Sequence, residues 1–345
     1  MTLFTLSPEE LATNIPTPLE LTSELPLTKS NSLFVNSCRQ TVRSILQGLD
    51  NRLLMIVGPC SIHHPKSTYA YAEKFARLAE EVSDRFFLVM RTYYEKPRTK
   101  KGWKGLIFDP HLDGSHDIGK GLRITRELLV NLTDMGVPVG CEFLEIYTSH
   151  YFSELITWGC IGARTCTSQP HRQLASSLPM PIGFKNSTEG NVDHAIHGVL
   201  SASSPHVFLG SDFSGQMAKV QTEGNPHCHI ILRGGKQSPN YDPASVENAI
   251  NKCTLATIRN KLIIDCSHDN CAKQHELQIP AFKAVIDQVK GGNNSIVGLM
   301  LESHLSAGNQ PFSSLAHEDI SITDPCLDWP STEKLIREAY TKCEK

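Results

Sequence analysis

The sequence predicts an α/β protein, a (β/α)8 TIM barrel with an N-terminal arm and an inserted β-hairpin. Eight short apolar runs rich in β-branched residues alternate with helical patterns, which indicates a parallel sheet of buried strands. A charged or metal-binding side chain also follows most runs, as expected where barrel strands end at a catalytic face. The predicted strands span residues 53–57, 86–90, 137–141, 160–163, 181–184, 229–232, 262–264 and 296–301.

The segments between these runs support the same fold. Over residues 66–83 apolar side chains recur with the spacing of one helix face. Two further runs, 207–210 and 216–221, are separated by turn-forming residues before the sixth barrel strand. We therefore expect a hairpin at about 206–222, inserted into a catalytic barrel that spans 46–345.

Residues 1–45 differ in composition and are predicted to form an arm with a regulatory, inter-subunit role. Prolines punctuate a stretch rich in Thr, Ser and Leu, and a helical pattern follows over residues 37–49. Four leucines are too many for a solvated tail: Leu19, Leu21, Leu25 and Leu27. Two uses remain open, docking on a neighbouring subunit or packing against the barrel of the same subunit.

Composition limits the partners. A chain of 345 residues could form two domains, but the barrel spacing favours one. The net charge of -3 argues against a nucleic-acid partner.

With no signal-peptide pattern and no run of 18 or more apolar residues, we expect a cytoplasmic protein with no membrane partner. Eleven cysteines with no CxxC pair fit a reducing compartment.

Four cations at predicted strand ends indicate one anion-binding mouth: Arg91, Arg164, Lys185 and Arg233. Each is costly to bury unless a carboxylate or a substrate anion pairs with it. A basic loop at 95–105 contains Lys96, Pro97, Arg98 and Thr99 and predicts a second phosphate site, although charge runs are usually solvated.

A thiol, an imidazole and two carboxylates share the same registers and suit a catalytic divalent metal ion. They are Cys60, His268, Glu302 and Asp324. Taken singly, a buried Cys is more often a small hydrophobe and a strand-end His a satisfied hydrogen-bonding residue. Together these residues predict a metal-dependent barrel enzyme with two small anionic substrates, but they do not name the reaction.

Six motifs together resemble the type I 3-deoxy-D-arabino-heptulosonate 7-phosphate (DAHP) synthases over about residues 37–345. The motifs lie at 58–63 (Gly-Pro-Cys-Ser-Ile-His), 95–105, 161–165, 183–186, 231–235 and 321–324. The resemblance implies a transferase that condenses phosphoenolpyruvate with erythrose 4-phosphate, the first step of the shikimate pathway. Condensation with another aldose phosphate, or a non-catalytic metal and phosphate sensor, are the alternatives.

The resemblance also implies residue roles. Cys60, His268, Glu302 and Asp324 would bind one divalent metal ion (Mn, Fe, Co or Zn). Arg91, Arg164, Lys185 and Arg233, with the backbone at Ala163, would hold phosphoenolpyruvate, and Lys96, Pro97, Arg98 and Thr99 would receive erythrose 4-phosphate. Lys96 is the candidate proton donor, and Glu142 would position water.

Family members that the arm and hairpin resemble carry an aromatic amino-acid site there, often across a subunit boundary. Gly210 favours tyrosine as the effector, since glycine leaves room for a phenolic hydroxyl. Phenylalanine or tryptophan remains open, and so does insensitivity, because Ser149 and His150 depart from the usual Pro-Gln pair. Pro179 is the fourth residue predicted at this site, in a homodimer or homotetramer.

Overall fold

Eight parallel strands close into one barrel in the computed structural model, which describes residues 14–98 and 101–343. The strands follow chain order around the barrel, and the last pairs with the first. They are β1 (Leu53–Gly58), β2 (Phe86–Arg91), β3 (Val139–Glu142), β4 (Trp158–Ile161), β5 (Ile182–Lys185), β8 (His229–Leu232), β9 (Leu262–Asp265) and β10 (Ile296–Glu302). This confirms the predicted (β/α)8 fold.

Every residue of β1 and β10 is buried, because helices cover the outside of the barrel and side chains fill its interior. The strand bounds differ from the predicted runs by up to two residues. The third strand begins at Val139 and not at 137, and the fourth ends at Ile161 and not at 163. Arg164 therefore lies in the turn beyond its strand.

Five of the ten helices within the described residues begin after a residue whose side chain caps the first turn. Asp242 accepts a hydrogen bond from the Ser245 amide, and Asp328 from the Ser331 amide, each just before a proline-containing first turn. The helices are α1 (Pro18–Glu24), α2 (Lys29–Gln47), α3 (Pro65–Glu81), α4 (Ile118–Asp134), α5 (Ser149–Phe152), α6 (Gln169–Ser177), α7 (Asp193–Ala202), α8 (Pro243–Leu255), α9 (Gln278–Lys290) and α10 (Trp329–Lys342). Within the described ranges, no helix is both long and apolar enough to cross a membrane.

The predicted hairpin is present between β5 and β8. Its strands β6 (His206–Ser211) and β7 (Met217–Thr222) pair antiparallel and form a separate sheet. Val207 and Leu209 point into solvent on one face, whereas Phe208 is partly covered on the other. The hairpin thus adds an apolar surface that the barrel does not need.

The arm packs against the barrel of its own chain. Leu21 is completely buried in the core, and Leu25 and Leu27 pack against it, while Leu19 stays exposed. Helix α2 runs through the predicted boundary at residue 45, and it begins eight residues before the predicted helix. The division into arm and barrel, and the inter-subunit role of the arm, stay predictions.

Candidate active site

The carboxyl ends of the barrel strands surround a cavity of about 500 Å3. Eight of its lining residues are lysine or arginine, against three carboxylates, so the cavity attracts anions. The lining residues are Lys96, Pro97, Arg98, Lys101, Glu142, Ala163, Arg164, Lys185, Thr188, Arg233, Lys236, His268, Asp269, Lys273 and Asp324. Lys101 lies in the predicted basic loop, whereas Thr188, Lys236, Asp269 and Lys273 were not predicted, because they lie in loops without a recognisable charge run.

Three of the four predicted metal ligands meet at this face. The Cys60 sulfur and carboxylate oxygens of Glu302 and Asp324 all lie within 4.8 Å of one another. Pairing of β1 with β10 sets Gly58 beside Glu302, which brings Cys60 to the same end of the barrel. One sulfur and two oxygen donors at this spacing fit a divalent cation.

His268, the fourth predicted ligand, lies beside this cluster. Its Nε2 is 3.6 Å from Glu302 Oε1, and its Nδ1 is 3.0 Å from Asp265 Oδ2 and 2.7 Å from Ser267 Oγ. Because Nδ1 contacts Asp265 and Ser267, Nε2 is the nitrogen that is left to bind a metal ion together with the cluster. His268 lies three residues after β9 and has a positive φ of 58°, a backbone conformation that is uncommon for residues other than glycine.

Lys96 lies next to the predicted metal ligands. Its Nζ is 3.1 Å from both the sulfur and the carbonyl oxygen of Cys60. Burial alone lowers the pKa of Lys96, but Cys60, Glu302 and Asp324 outweigh it and raise that pKa above its usual range. Lys96 is therefore a charged ammonium group in contact with the cluster.

Arg91, Lys185 and Arg233 of the predicted clamp have carboxylate partners. Arg91 Nη2 is 2.9 Å from Glu302, Lys185 Nζ is 2.9 Å from Asp265, and Arg233 pairs with Asp269. The pairing with carboxylates considered from the sequence is thus present. Within residues 14–98 and 101–343, however, Arg91 Nη1 and Arg233 Nε remain without a hydrogen-bond partner. Arg233, which lines the cavity, therefore keeps one donor that a ligand could use.

Arg91 occupies a deeper position than the other clamp cations. It is fully buried beneath the cavity, does not line it, and stacks over the Tyr93 ring at 4.0 Å. Arg164 is exposed on the rim beside Ala163, whereas Lys185 and Arg233 lie on the walls.

Glu142 projects from the end of β3 across the backbone of Gly162. A Cβ atom at position 162 would come within 2.2 Å of Glu142 Oε1, so a larger residue there would displace the Glu142 carboxylate. This oxygen is buried and has no hydrogen-bond partner among the described residues. Glu142 can therefore accept a hydrogen bond from a molecule in the cavity.

The basic loop covers one side of the cavity. The Lys96 amide donates to the Lys104 carbonyl at 2.8 Å, which closes the loop at its base. Pro97 and Arg98 line the cavity, and Arg98 lies against Gly102, where a Cβ atom would come within 2.6 Å of its Nε. Thr99 lies outside the described residues.

Three of the predicted regulatory residues lie around the hairpin. The His150 ring packs edge-on against Phe213 at 5.0 Å, next to buried Ser149, and Gly210 lies three residues before Phe213. A Cβ atom at Gly210 would come within 2.7 Å of a Val220 methyl group. Pro179 lies elsewhere in sequence, where its carbonyl accepts a hydrogen bond from Arg43 at 2.6 Å.

A closed barrel with a sulfur and oxygen cluster under a cationic cavity defines a class of metal-dependent barrel enzymes for small anionic substrates. Residues 24–337 match the DAHP synthetase I family, and the chain belongs to that family. It is similar to the Tyr-sensitive phospho-2-dehydro-3-deoxyheptonate aldolase of Escherichia coli K12, with 46% identity over 94% of this chain and 92% of the relative. The Phe-sensitive enzyme of the same strain is also 46% identical, over 93% and 92%.

A solved phospho-2-dehydro-3-deoxyheptonate aldolase from Francisella tularensis SCHU S4 has the same fold. Its TM-score is 0.93 at 43% identity, covering 96% of this chain and 97% of the other. The predicted transferase activity, condensation of phosphoenolpyruvate with erythrose 4-phosphate, is confirmed by these relationships. The family is metal-dependent, in agreement with the Cys60, Glu302 and Asp324 cluster.

Proposed function

We propose that both substrates bind in the cavity at the carboxyl ends of the strands. The observation that carries this proposal is the excess of cations around the cavity beside a buried cluster of metal-type donors. Two phosphorylated substrates repel each other, and fixed positive charges offset that repulsion without reorganising during the reaction.

Phosphoenolpyruvate binds to Arg164, Lys185 and Arg233, with the backbone at Ala163. The free Nε of Arg233 gives this buried arginine a donor to offer a carboxylate or phosphate group. Arg91 supports the site from beneath the cavity, because its Nη2 donates to Glu302 and its guanidinium stacks on the Tyr93 ring. Its Nη1 has no hydrogen-bond partner among the described residues.

Erythrose 4-phosphate binds to the opposite wall. Pro97 stiffens the loop between Lys96 and Arg98, and the hydrogen bond between Lys96 and Lys104 fixes its base. Arg98 and Thr99 would take the phosphate group, which leaves the aldehyde end of the substrate toward Lys96 and Cys60.

Cys60, His268, Glu302 and Asp324 would hold one divalent ion of manganese, iron, cobalt or zinc. When bound, such an ion acts as a Lewis acid toward an aldehyde oxygen. The buried Arg91 and the Asp265 carboxylate hold Glu302 and His268 in orientation for this role.

Lys96 and Glu142 carry the proton and water steps. Carbon 3 of phosphoenolpyruvate forms the new bond to the aldehyde carbon, and Lys96 Nζ gives a proton to the oxygen that becomes an alcohol. Glu142 Oε1 accepts a hydrogen bond from the water that adds at carbon 2. One proton of that water replaces the proton given by Lys96, and the other passes to phosphate as the bond between carbon 2 and the phosphate oxygen breaks and the keto group forms. Both groups face the cavity with the required donor or acceptor available.

A substrate panel tests the proposal. The protein, reconstituted with each metal ion in turn, is mixed with phosphoenolpyruvate and several aldose phosphates, and loss of the enolpyruvate absorbance is followed. We expect turnover with erythrose 4-phosphate. Faster turnover with a pentose phosphate would support the alternative condensation, and binding without turnover would support the sensor.

Cys60→Ser tests the metal ligand set. We expect loss of tight metal binding and of activity, because the soft thiolate is replaced by a hydroxyl of similar volume. Metal content, activity and circular dichroism are measured, with Cys253→Ser as the control since Cys253 is equally buried in α8 outside the site. Full activity of Cys60→Ser at equal metal content would contradict the assignment.

We also propose an aromatic amino-acid effector, with tyrosine first, bound between the arm and the hairpin. The relatives named Tyr-sensitive and Phe-sensitive are equally similar to this chain, so overall identity does not choose between them. Gly210 supports tyrosine. Tyrosine, phenylalanine and tryptophan are titrated against the initial rate of the wild-type protein and of Gly210→Ser, and no response of the wild type to tyrosine would contradict the choice.

A homodimer or homotetramer would place this site at a subunit boundary. The outer hairpin face and the arm expose a group of large apolar side chains that a partner subunit would cover: Leu19, Val207, Leu209, Phe213 and Met217. Leu209→Lys should shift the mass measured by light scattering toward the monomer, whereas Leu255→Lys, an exposed leucine at the end of α8, should not.

A further inference from the structure

Glu95 is a fully buried carboxyl group immediately before Lys96, and it takes no part in the substrate binding or proton transfer proposed for the cavity. Its side chain points away from the cavity, toward the segment that follows β3. Among the described residues, no lysine, arginine or histidine forms an ion pair with it, and Oε1 has no hydrogen-bond partner. An ionised carboxylate in such a place would be strongly unfavourable.

The hydrogen bonds of Thr148 indicate which form Glu95 takes. The Thr148 hydroxyl oxygen is 2.8 Å from the Glu145 carbonyl oxygen and 3.2 Å from Glu95 Oε2. A hydroxyl group has one proton, so it can make a full hydrogen bond to only one of these acceptors at a time. Both contacts become full hydrogen bonds if Glu95 carries a proton and donates it to Thr148, which then donates to Glu145.

The surroundings of Glu95 favour the same form. Burial raises its pKa to about 8; the Thr148 hydroxyl and the nearby Leu144 and Glu145 amides, which do not reach hydrogen-bond geometry with Oε1, lower it only in part. The titratable groups that face it are the Glu145 carboxylate from the segment after β3, Cys141 from β3 itself, and Tyr94 from its own segment. None of these groups is a cation.

We propose that Glu95 is a positioning residue that works as a neutral carboxylic acid, and that its hydrogen bond to Thr148 fixes the backbone from which Lys96 and Arg98 reach the substrate. Thr148 directly precedes α5, so the bond ties the basic loop after β2 to the segment after β3. On the other side of this anchor, Lys96 holds the Lys104 carbonyl and contacts Cys60. Loss of the proton leaves a buried anion beside Glu145, and Thr148 can then donate fully to Glu95 only by giving up its bond to the Glu145 carbonyl, so one of the two fixed points of the loop is weakened.

The pH dependence of the Michaelis constant for erythrose 4-phosphate tests this proposal. If only the neutral form places the loop, KM for this substrate rises about tenfold between pH 7 and pH 9, as the neutral fraction falls. Glu95→Gln keeps an uncharged donor to Thr148, so its KM at pH 7 stays near the wild-type value and does not rise in parallel at pH 9. The KM for phosphoenolpyruvate is expected to follow the same curve in both proteins.

Thr148 supplies the matched controls. Thr148→Val removes the hydroxyl and should raise KM for erythrose 4-phosphate at pH 7, whereas Thr148→Ser should restore it. Thermal unfolding of each variant distinguishes a displaced loop from an unfolded protein. Equal pH profiles for the wild type and Glu95→Gln would overturn the proposal, and so would a Glu95→Gln defect at pH 7 as large as that of Glu95→Leu.

This inference rests on the proposed role of the loop in binding erythrose 4-phosphate. Arg98→Ala tests that role separately. An unchanged KM for erythrose 4-phosphate in Arg98→Ala would remove the role of the loop, whereas the comparison of Glu95→Gln with the wild type tests the proton on Glu95.

Discussion

At the scale of single residues, the site assigns different cations to different substrates. Arg233→Ala should raise KM for phosphoenolpyruvate at least about thirtyfold, because loss of a buried arginine that binds an anion costs roughly 2 to 5 kcal/mol. Arg98→Ala should mainly raise KM for erythrose 4-phosphate, by a smaller factor since Arg98 is exposed. Steady-state kinetics with each substrate varied in turn measure both effects.

Lys283→Ala is the control for these two variants. Lys283 forms a surface ion pair with Glu338 and lies outside the cavity, so its removal should change neither constant. If Arg98→Ala instead raises KM for phosphoenolpyruvate and Arg233→Ala raises KM for erythrose 4-phosphate, the two substrates bind in reversed positions.

The sequence predicts which residues lie at the strand ends, but it does not predict which side chains pair with one another. Cys60 and Glu302 follow apolar runs, and the barrel brings all such ends together. Asp265 directly follows the predicted strand 262–264, yet only the folded chain shows that it pairs with Lys185 and His268. Glu95 was included in the basic loop, and its burial depends on residues about fifty positions away.

At the scale of elements, the arm, the hairpin and the segment around α5 meet at one place. The Leu19 amide donates to the Phe213 carbonyl at 2.8 Å, and the Tyr151 hydroxyl donates to the Pro16 carbonyl at 2.7 Å. Thr148, in the same segment, contacts Glu95. Hydrogen bonds therefore connect the arm with the base of the catalytic loop.

Arg126 of α4 holds this junction from inside. Its guanidinium donates to the Leu25 carbonyl at 2.8 Å and to the Tyr151 carbonyl at 2.6 Å, and it pairs with Glu154. Arg126→Met should lower the free energy of unfolding by roughly 2 to 5 kcal/mol, because both carbonyl groups lose a buried donor. Urea unfolding measures the loss, and limited proteolysis should cut the arm faster.

Arg123→Met is the matched control on the same helix. Arg123 is partly exposed and pairs with Glu24 of the arm at the surface, so we expect a change of at most about 1 kcal/mol. Equal losses in the two variants would mean that the buried hydrogen bonds of Arg126 stabilise the protein no more than a surface ion pair to the arm does.

Elements with strong local signals were predicted well. The hairpin follows from its turn residues, and its position in the chain is as predicted. The start of α2 was placed too late, because its first turn, Lys29 to Ser32, has no apolar periodicity and is fixed by Thr28, whose side chain accepts from the Asn31 amide. The packing of Leu21 in the core was one of two open alternatives, since the sequence does not tell which surface receives it.

At the scale of the whole molecule, barrel closure followed from the number and spacing of the strands, because parallel strands with helical connections have few other arrangements. The side chains that fill the barrel interior, and their hydrogen bonds, could not be predicted from the sequence. His229, at the start of β8, is buried inside and accepts a hydrogen bond from the Trp158 indole at 3.1 Å. Its Nδ1 lies 3.2 Å from the His227 carbonyl, so the ring is neutral with a proton on Nδ1.

This buried imidazole makes the stability of the barrel depend on pH. Burial lowers the pKa of His229 from the ordinary 6.5 to about 4. Between these two values the unfolded chain binds more protons than the folded one, so the free energy of unfolding falls as the pH drops from 6.5 toward 4, by up to about 3 kcal/mol from this residue. His229→Gln has no charge to gain, and its side-chain oxygen can still accept from Trp158. The variant should be less stable than the wild type at pH 7, yet the difference in thermal midpoint should shrink as the pH approaches 4. Two midpoint curves that stay parallel over this range would show that His229 does not cause the acid sensitivity of the barrel.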